Sequence, residues 1–304
     1  MIVTELYNGQ GLGNQLWCYA VTRTIALNNN YEFGIMSPNK FKGSDFMEID
    51  FGNQVFGGSG PEGCPPTSLP DNIHKYYKEK MILHPHDDCD ISVVDNNLLT
   101  INDGTKIDGC MQDEKYIINN KSNILSWIKI KEENVDLTYL INDICVIHVR
   151  GGDFKSSNAI LDGKYFLDSI KAMKAIIDPN LIFVAVTDDV NYCNKILPNI
   201  QIVGGSISGK QDSLKANHHI GGPIKIDYTI LNNAKYSIIS NSSFSWWATW
   251  TNIKSEFVIA PKYWARHRIS DGYWSTGGSL TKGWHYMDRN GILMSYNDCL
   301  NELI

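Results

Sequence analysis

The residues best suited to chemistry are His148-Val149-Arg150-Gly151-Gly152-Asp153. They close an apolar run, Ile144 to Val149, that reads as a buried parallel strand. A cation, two glycines and a carboxylate where a strand meets its loop is the composition of an anion site. Glycines let backbone N–H groups approach a phosphate closely, and arginine offers a forked cation to its oxygens. A second cluster, Ser240-Asn241-Ser242-Ser243-Phe244-Ser245, puts hydroxyls and N–H groups at the start of a predicted helix, where the dipole favours phosphate. Ordinary N-capping uses the same residue types. A third, Thr187-Asp188-Asp189, is either a helix N-cap pair or a set of acceptors for guanine N1–H and N2–H₂. His148 reads equally as a packed strand residue or as a contact to ribose or base. An arginine and a helix N-terminus together can hold a diphosphate without Mg²⁺, and no metal site is expected.

The elements that must position these clusters follow from periodicity. Strands are predicted over 144–149, 181–187, 200–203, 236–240 and 257–260, with helices over 164–177, 190–196, 224–234 and 243–251. In the first helix Phe166, Ile170, Met173 and Ile177 share one face. Trp246, Trp247 and Trp250 read as packing for the last. Alternating units of this length predict a doubly wound parallel sheet. Ligands of such sheets sit at the carboxyl ends of strands, where all three clusters fall. At the N-terminus, residues 2–8 read as a strand, Gly9 to Gly13 as a turn, and Asn14 to Leu27 as a buried helix stopped by Asn28-Asn29-Asn30. Residues 34–110 have no regular pattern, and Gly52 to Pro70 reads as a long loop.

The 304 residues suit two ordinary domains or one large one. With 43% apolar and 20% charged residues the chain is globular. A net charge of −6 and a pI near 5.7 give no reason to expect nucleic acid or an anionic membrane as partner. The 7 cysteines are odd in number and lack C-x-x-C spacing, which implies thiols in a reducing compartment. Met1 to Glu5 has no signal-peptide character and no apolar run reaches about 18 residues. A cytoplasmic protein without a transmembrane segment is expected, in which the sequons at Asn120 and Asn241 are idle. Gly204 to Lys210 fits G-x-x-x-x-G-K, but Gln211 replaces the Mg²⁺-binding hydroxyl, so it is discounted as a P-loop. His84 to Asp90 fits no zinc or calcium spacing and reads as a solvated loop. His218-His219 receives no role.

Together the segments resemble a known family. Gly11-Leu12-Gly13-Asn14-Gln15-Leu16-Trp17 resembles the G-x-G-N-Q motif of the α-1,2-fucosyltransferases of glycosyltransferase family 11. His148 to Asp153 resembles its H-x-R-R-G-D motif, Thr187 to Asp189 its S-D-D element, and Ser240 to Trp247 its S-N-S-S-F-S-W-W segment. Val258 to Lys262 matches the V-I-A-P-K that follows. The resemblance implies a GT-B-like α/β enzyme with two Rossmann-type domains facing a cleft. Residues 1–140 would form the acceptor-side domain. Residues 141–304 would form the GDP-sugar-binding domain, with the last ~30 residues able to pack back on the first.

It implies GDP-L-fucose as donor substrate, with no metal or other cofactor, and a glycan as acceptor. Arg150 would meet the β-phosphate, and Ser242, Ser243 and Phe244 would surround the diphosphate. Gly11, Gly13 and Asn14 would face the sugar–phosphate region across the cleft. Gly152, His148, Asp188 and Asp189 complete the expected nucleotide set, and Arg150, Asn14 and Asp153 the catalytic one. Asp153 is either the base for the acceptor hydroxyl or the group that orients Arg150. The expected reaction is inverting transfer to O2 of a terminal β-galactoside, with peripheral contact to a lipid-linked glycan. One departure stands out: Gly151 replaces the motif's second arginine, leaving Lys210, Lys225 or Arg266 to supply the cation. A different GDP-sugar donor, or a non-catalytic sugar-nucleotide or glycan binder, are the other readings.

Overall fold

Four consecutive residues, Ile2–Glu5, form strand β1 and are all buried, so both faces of this strand are covered, as in parallel sheets. The computed structural model describes the chain except residues 57–68, 71, 84–89, 93, 132–143, 157–158, 204–221, 263, 265–279 and 303–304. The protein is mixed α/β and divides into two units, Met1–Lys131 and Glu132–Ile304. In the first, β1 is followed by α1 (Leu12–Asn28), β2 (Phe33–Met36), β3 (Met47–Glu48), β4 (Lys75–Lys78), β5 (Met81–Leu83) and β6 (Asp90–Ser92). Then come α2 (Asn96–Leu99), β7 (Thr105–Asp108), α3 (Lys121–Trp127) and β8 (Lys129–Ile130). The order β2-β1-β7-β4 makes a four-stranded parallel sheet, and β3-β8 and β5-β6 are antiparallel ribbons. Helix α1 is apolar nearly all round and correspondingly buried. It ends where Asn30 turns left-handed at φ 56° and the Asn29 amide donates back to Ile25 O.

The stretch without a readable pattern therefore holds most of this unit's strands. They were hidden because they are short and carry charge. Thr105-Lys106-Ile107-Asp108 does not look like a core strand, yet every residue in it is buried. Lys106 Nζ lies 3.2 Å from Glu5 Oε2 and 3.1 Å from Asp108 Oδ2, and donates to Tyr7 Oη at 2.9 Å. Burial and the neighbouring carboxylates of Asp108 and Glu5 push the Tyr7 phenol far above its usual range, so it stays protonated.

The second unit holds β9 (Ile144–Val149), α4 (Gly163–Ile176), β10 (Ile182–Thr187), α5 (Val190–Ile196), β11 (Gln201–Ile202), α6 (Gly222–Asn233) and β12 (Tyr236–Ile238). It continues through α7 (Ser243–Trp250), β13 (Phe257–Pro261), β14 (His285–Met287), β15 (Leu293–Ser295) and α8 (Tyr296–Asn301). These strands form one sheet in the order β11-β10-β9-β12-β13-β14-β15, parallel except for β15. The five strands and four helices expected from periodicity are those that position the site. Near the C-terminal end, β14 and β15 extend this sheet beyond the strands expected from periodicity, and α8 follows them. Three-residue strands and a one-and-a-half-turn helix carry too little periodicity to be read.

From β9 the chain adds β10 and β11 on one side, then crosses to add β12 and β13 on the other. Adjacent strands β9 and β12 thus send their following loops apart at the carboxyl edge, the place where sheets of this kind hold ligands. Helix α4 lays Phe166 and Met173 on the sheet. Trp246, Trp247 and Trp250 pack α7 with ring centroids 5.1–5.5 Å apart.

His148 ties the two central strands together. It is buried, and its Nδ1 lies 2.7 Å from Ser240 Oγ. Burial first, and the Arg150 charge second, push its imidazole down to about 3 from an ordinary 6.5. Between those values the unfolded chain binds a proton that the folded chain refuses. The stabilising contribution is therefore complete above the ordinary value and lost as pH falls below it. Urea unfolding should show stability declining by at most about 1.4 kcal/mol per pH unit below 6.5 on this account, and His148→Asn should flatten the decline. Identical pH dependence in the two proteins would contradict the assignment.

Candidate active site

The carboxyl edge of β9 and β12 is knitted by side chains from the elements around it. Tyr165 of α4 donates to Ile239 O at 2.6 Å. Thr187, the last residue of β10, donates to Val149 O at 2.8 Å and accepts from Asp189 N at 3.0 Å. With the His148–Ser240 contact, these fix where the loops after β9, β10 and β12 begin.

Arg150 leaves β9 into this setting. Its Nη2 donates to Asp153 Oδ1 at 2.5 Å and its Nη1 pairs with Asp188 Oδ2 at 2.8 Å. The guanidinium carbon lies 5.1 Å from the centre of the Phe154 ring. Its Nε is buried and has no hydrogen-bond partner among the described residues. Asp188 also accepts from Gly151 N at 2.8 Å, so one carboxylate sets both the cation and the loop backbone. Asp189 caps α5, accepting from Tyr192 N at 2.9 Å, and takes an ion pair from Lys155. Although burial opposes its charge, Lys155 and the amides of Tyr192 and Gly152 hold the Asp189 carboxyl below the usual carboxylate range.

Gly151 and Gly152 are required by this packing. A Cβ at 151 would lie 2.4 Å from Asp189 Cβ, and one at 152 would lie 2.6 Å from Asp188 Oδ2. Gly152 also has φ +36°, which side chains rarely adopt.

After β12, Ser242 opens α7 without a side-chain cap, so its hydroxyl does not cover the first-turn amides of the helix. Ser243 and Phe244 are half-buried. Phe244 stands 5.6 Å from the His148 ring and 5.5 Å from Tyr228. Asn241, 4% exposed, donates to Ala159 O at 2.8 Å while its Oδ1 is buried without a partner among the described residues. An unmet buried acceptor costs about 1–3 kcal/mol.

Nine expected residues thus fall on one edge of one unit: His148, Arg150, Gly152, Asp153, Asp188, Asp189, Ser242, Ser243 and Phe244. Gly11, Gly13 and Asn14 belong to the first unit. There Asn14 Oδ1 accepts from Gln112 Nε2 at 3.0 Å, while Gln15 is a brace, bonded to Lys40 O and Lys42 N at 2.9 Å. Gly13 is buried. Gly11 has φ −70° and nothing within 4 Å of where a Cβ would stand, so neither backbone nor packing demands glycine there. Of the cations considered for the place of Gly151, Lys210 and Arg266 lie outside the described residues, as do Gly204 to Lys210 as a whole, residues 84–89 and His218-His219. Lys225 is half-buried on α6. Sequence reasoning missed Lys155, the second cation of the β9 loop, and Gln112, the partner of Asn14. Lys155 had a signal, being a lysine in the same short glycine loop; Gln112, 98 residues from Asn14, had none. Among the described residues no group of three His, Cys, Asp or Glu side chains is arranged to hold a metal ion, and no helix is long and apolar enough to cross a membrane.

Comparison with known proteins gives relatives of one kind. An α-1,2-colitosyltransferase of Escherichia coli is 27% identical over 272 residues, 84% of this chain and 89% of that protein. The O-antigen biosynthesis glycosyltransferase WbnK of Escherichia coli is 24% identical over 194 residues, 56% and 59% of the two chains. Among solved structures, the α-1,6-fucosyltransferase NodZ co-crystallised with GDP is similar over 86% of this chain and 94% of its own, at 16% identity and a TM-score of 0.46. The profile of glycosyl transferase family 11 matches residues 107–288. That span is more than half of the chain and contains the loops after β9, β10 and β12, with Arg150, Asp188 and the opening of α7. The chain belongs to glycosyltransferase family 11.

Proposed function

We propose that the protein is an inverting, metal-independent glycosyltransferase that moves L-fucose from GDP-β-L-fucose to a hydroxyl of a glycan, O2 of a terminal β-galactoside being the first candidate. One observation carries the reading. Arg150 and the uncapped start of α7 leave adjacent parallel strands at the same level, joined below by the His148–Ser240 contact. A cation and a helix N-terminus at one sheet edge are the electrophiles a leaving diphosphate needs.

The chemistry follows from charge. The bond from sugar C1 to the β-phosphate oxygen breaks, its electron pair leaves with GDP, and the ring becomes oxocarbenium-like. Arg150 and the first-turn amides around Ser242, Ser243 and Phe244 take up the charge growing on the diphosphate. The acceptor oxygen bonds to C1 from the opposite face, so a β-linked donor gives an α-fucoside, and the hydroxyl proton passes to a base or to water. Asp153 is held against Arg150 and is mostly exposed, which favours orientation of the guanidinium over proton abstraction. The half-buried Phe244 lies on the same edge, for contact with the nucleoside or sugar. A second donor is favoured by a specific observation: the relative at 27% identity is named a colitosyltransferase. Transfer of another GDP-deoxyhexose is therefore the alternative within the same mechanism.

Arg150→Ala should lower transfer by about 10²–10³-fold with the melting temperature retained, and Arg150→Lys should recover part of it. The assay is GDP release from a panel of GDP-sugars with a β-galactoside acceptor, with linkage determined by NMR. Near wild-type turnover in the alanine variant would remove the leaving-group role. Gly151→Arg, which restores the motif's second arginine, should not raise activity. It should instead destabilise the fold by about 1–3 kcal/mol, because the new Cβ collides with Asp189. A gain in kcat/KM with unchanged stability would show that the loop can accept that residue.

A further inference from the structure

The first unit carries a groove at the carboxyl end of β2 that the reading above leaves unused. Its volume is about 410 Å³, within the roughly 300–1,000 Å³ typical of small-ligand sites. The floor is Ile35 and Met36 of β2, one wall is the Ser37-Pro38 turn, and the other is the segment Phe51 to Phe56. Both walls are fixed. Ile35 N donates to Phe51 O at 3.0 Å and Asn53 N to Phe33 O at 2.9 Å. Gly34 lets the second wall lie directly on the strand, since a Cβ there would meet Val55 Cγ2 at 2.4 Å. The Phe51 ring is held edge-on by Phe41 at 5.5 Å.

Position and composition together select the ligand. The first wall is tied to the family motif: Ser37 Oγ donates to Glu5 Oε1 at 3.3 Å, and the residues that follow it are clamped by Gln15, the neighbour of Asn14. The groove and the Asn14 turn therefore share one edge of one sheet. None of the lining residues is charged, which disfavours a nucleotide or phosphate. What the groove offers is a 74% exposed ring at Phe56, a half-buried ring at Phe51, and the exposed amides of Asn53 and Gln54. Flat apolar rings beside amides fit a neutral polyol that has one C–H face and a rim of hydroxyls.

We propose that this groove is a subsite for one neutral hexose ring of the acceptor glycan, stacked on Phe56 and hydrogen-bonded by Asn53 and Gln54. The glycan's role as acceptor rests on the transfer reading; its binding here does not. Saturation-transfer NMR on the full chain, with methyl β-D-galactopyranoside and N-acetyllactosamine as probes, tests it. Wild type should give a signal, Phe56→Ala should weaken binding by about tenfold, and Phe56→Trp should retain it. Gln54→Ala should weaken it less. Both side chains are exposed, so melting temperatures should match. No signal from either glycoside in wild type, equal binding by Phe56→Ala, or competitive displacement of the glycoside by GDP would each overturn the subsite. GDP affinity measured separately by calorimetry divides the two ideas. Absence of GDP binding in wild type would refute the donor assignment, while a glycoside signal lost in Phe56→Ala would still support the groove.

Discussion

The second unit depends on a neutral, buried contact between His148 and Ser240. Two parallel strands can share a hydrogen-bond ladder and still let their loops diverge, because the ladder between β9 and β12 ends at Ile147 and Ile238. Beyond that point the spacing is set by side chains. The imidazole at 2.7 Å from the serine hydroxyl holds the residues just before Arg150 and Ser242 at one height. Phe244 against the same ring carries that constraint into the first turn of α7. A charged imidazole would break the arrangement, both by desolvation and by repulsion from Arg150, which is why its proton affinity is so low.

Arg150 is thus set in place before any ligand arrives, and at an electrostatic cost. Two cations, Arg150 and Lys155, face three carboxylates, Asp153, Asp188 and Asp189. Partly exposed pairs of this kind contribute about 0–1 kcal/mol each to stability, so their main effect is geometric. The fork is aimed, while its buried Nε and the Asn241 Oδ1 have no partner among the described residues. A diphosphate entering here does not have to order the guanidinium. It has to compete with carboxylates, and Asp153, the more exposed of the two partners of Arg150, is the easier to displace. Net charge at the loop then depends on which carboxylates stay, a more informative quantity than the count of arginines in the motif.

The legible and illegible parts of the sequence divide along physical lines. Ile144 to Val149 and Ile182 to Thr187 could be read because strands buried on both faces are uniformly apolar, and α4 because its apolar residues recur at helical spacing. The polar clusters stood out against those runs, which is how the edge carrying Arg150, Asp188 and Ser242 was found. β7 was illegible because its Lys106 is buried by pairing with Asp108 and with Glu5, and Glu5 lies about a hundred positions away in sequence. The same distance hid the Gln112–Asn14 bond. His148 could not be resolved from sequence, since only burial distinguishes a packed imidazole from one that meets a ligand. The groove beside β2 was hidden for another reason: its wall residues look like loop composition until Gly34 and Gly52 are seen to pair.

Glycine and carboxylate recur as a pair throughout the protein, and the pairing explains why Gly151 is not a simple loss. In the β9 loop, Gly151 and Gly152 seat their backbones against Asp189 and Asp188, and Asp188 accepts the Gly151 amide. In the first unit, Gly109 lies against Glu79, where a Cβ would come within 2.4 Å of the Glu79 Cβ, and Glu79 accepts Met111 N at 2.7 Å. In each case a side-chain oxygen supplies the partner that an irregular loop cannot find in a ladder, and only glycine allows the approach. Once Asp189 is committed to capping α5 and packing on residue 151, a side chain at 151 and the cap are mutually exclusive. Lys155, four residues further along the same loop, pairs with that same carboxylate.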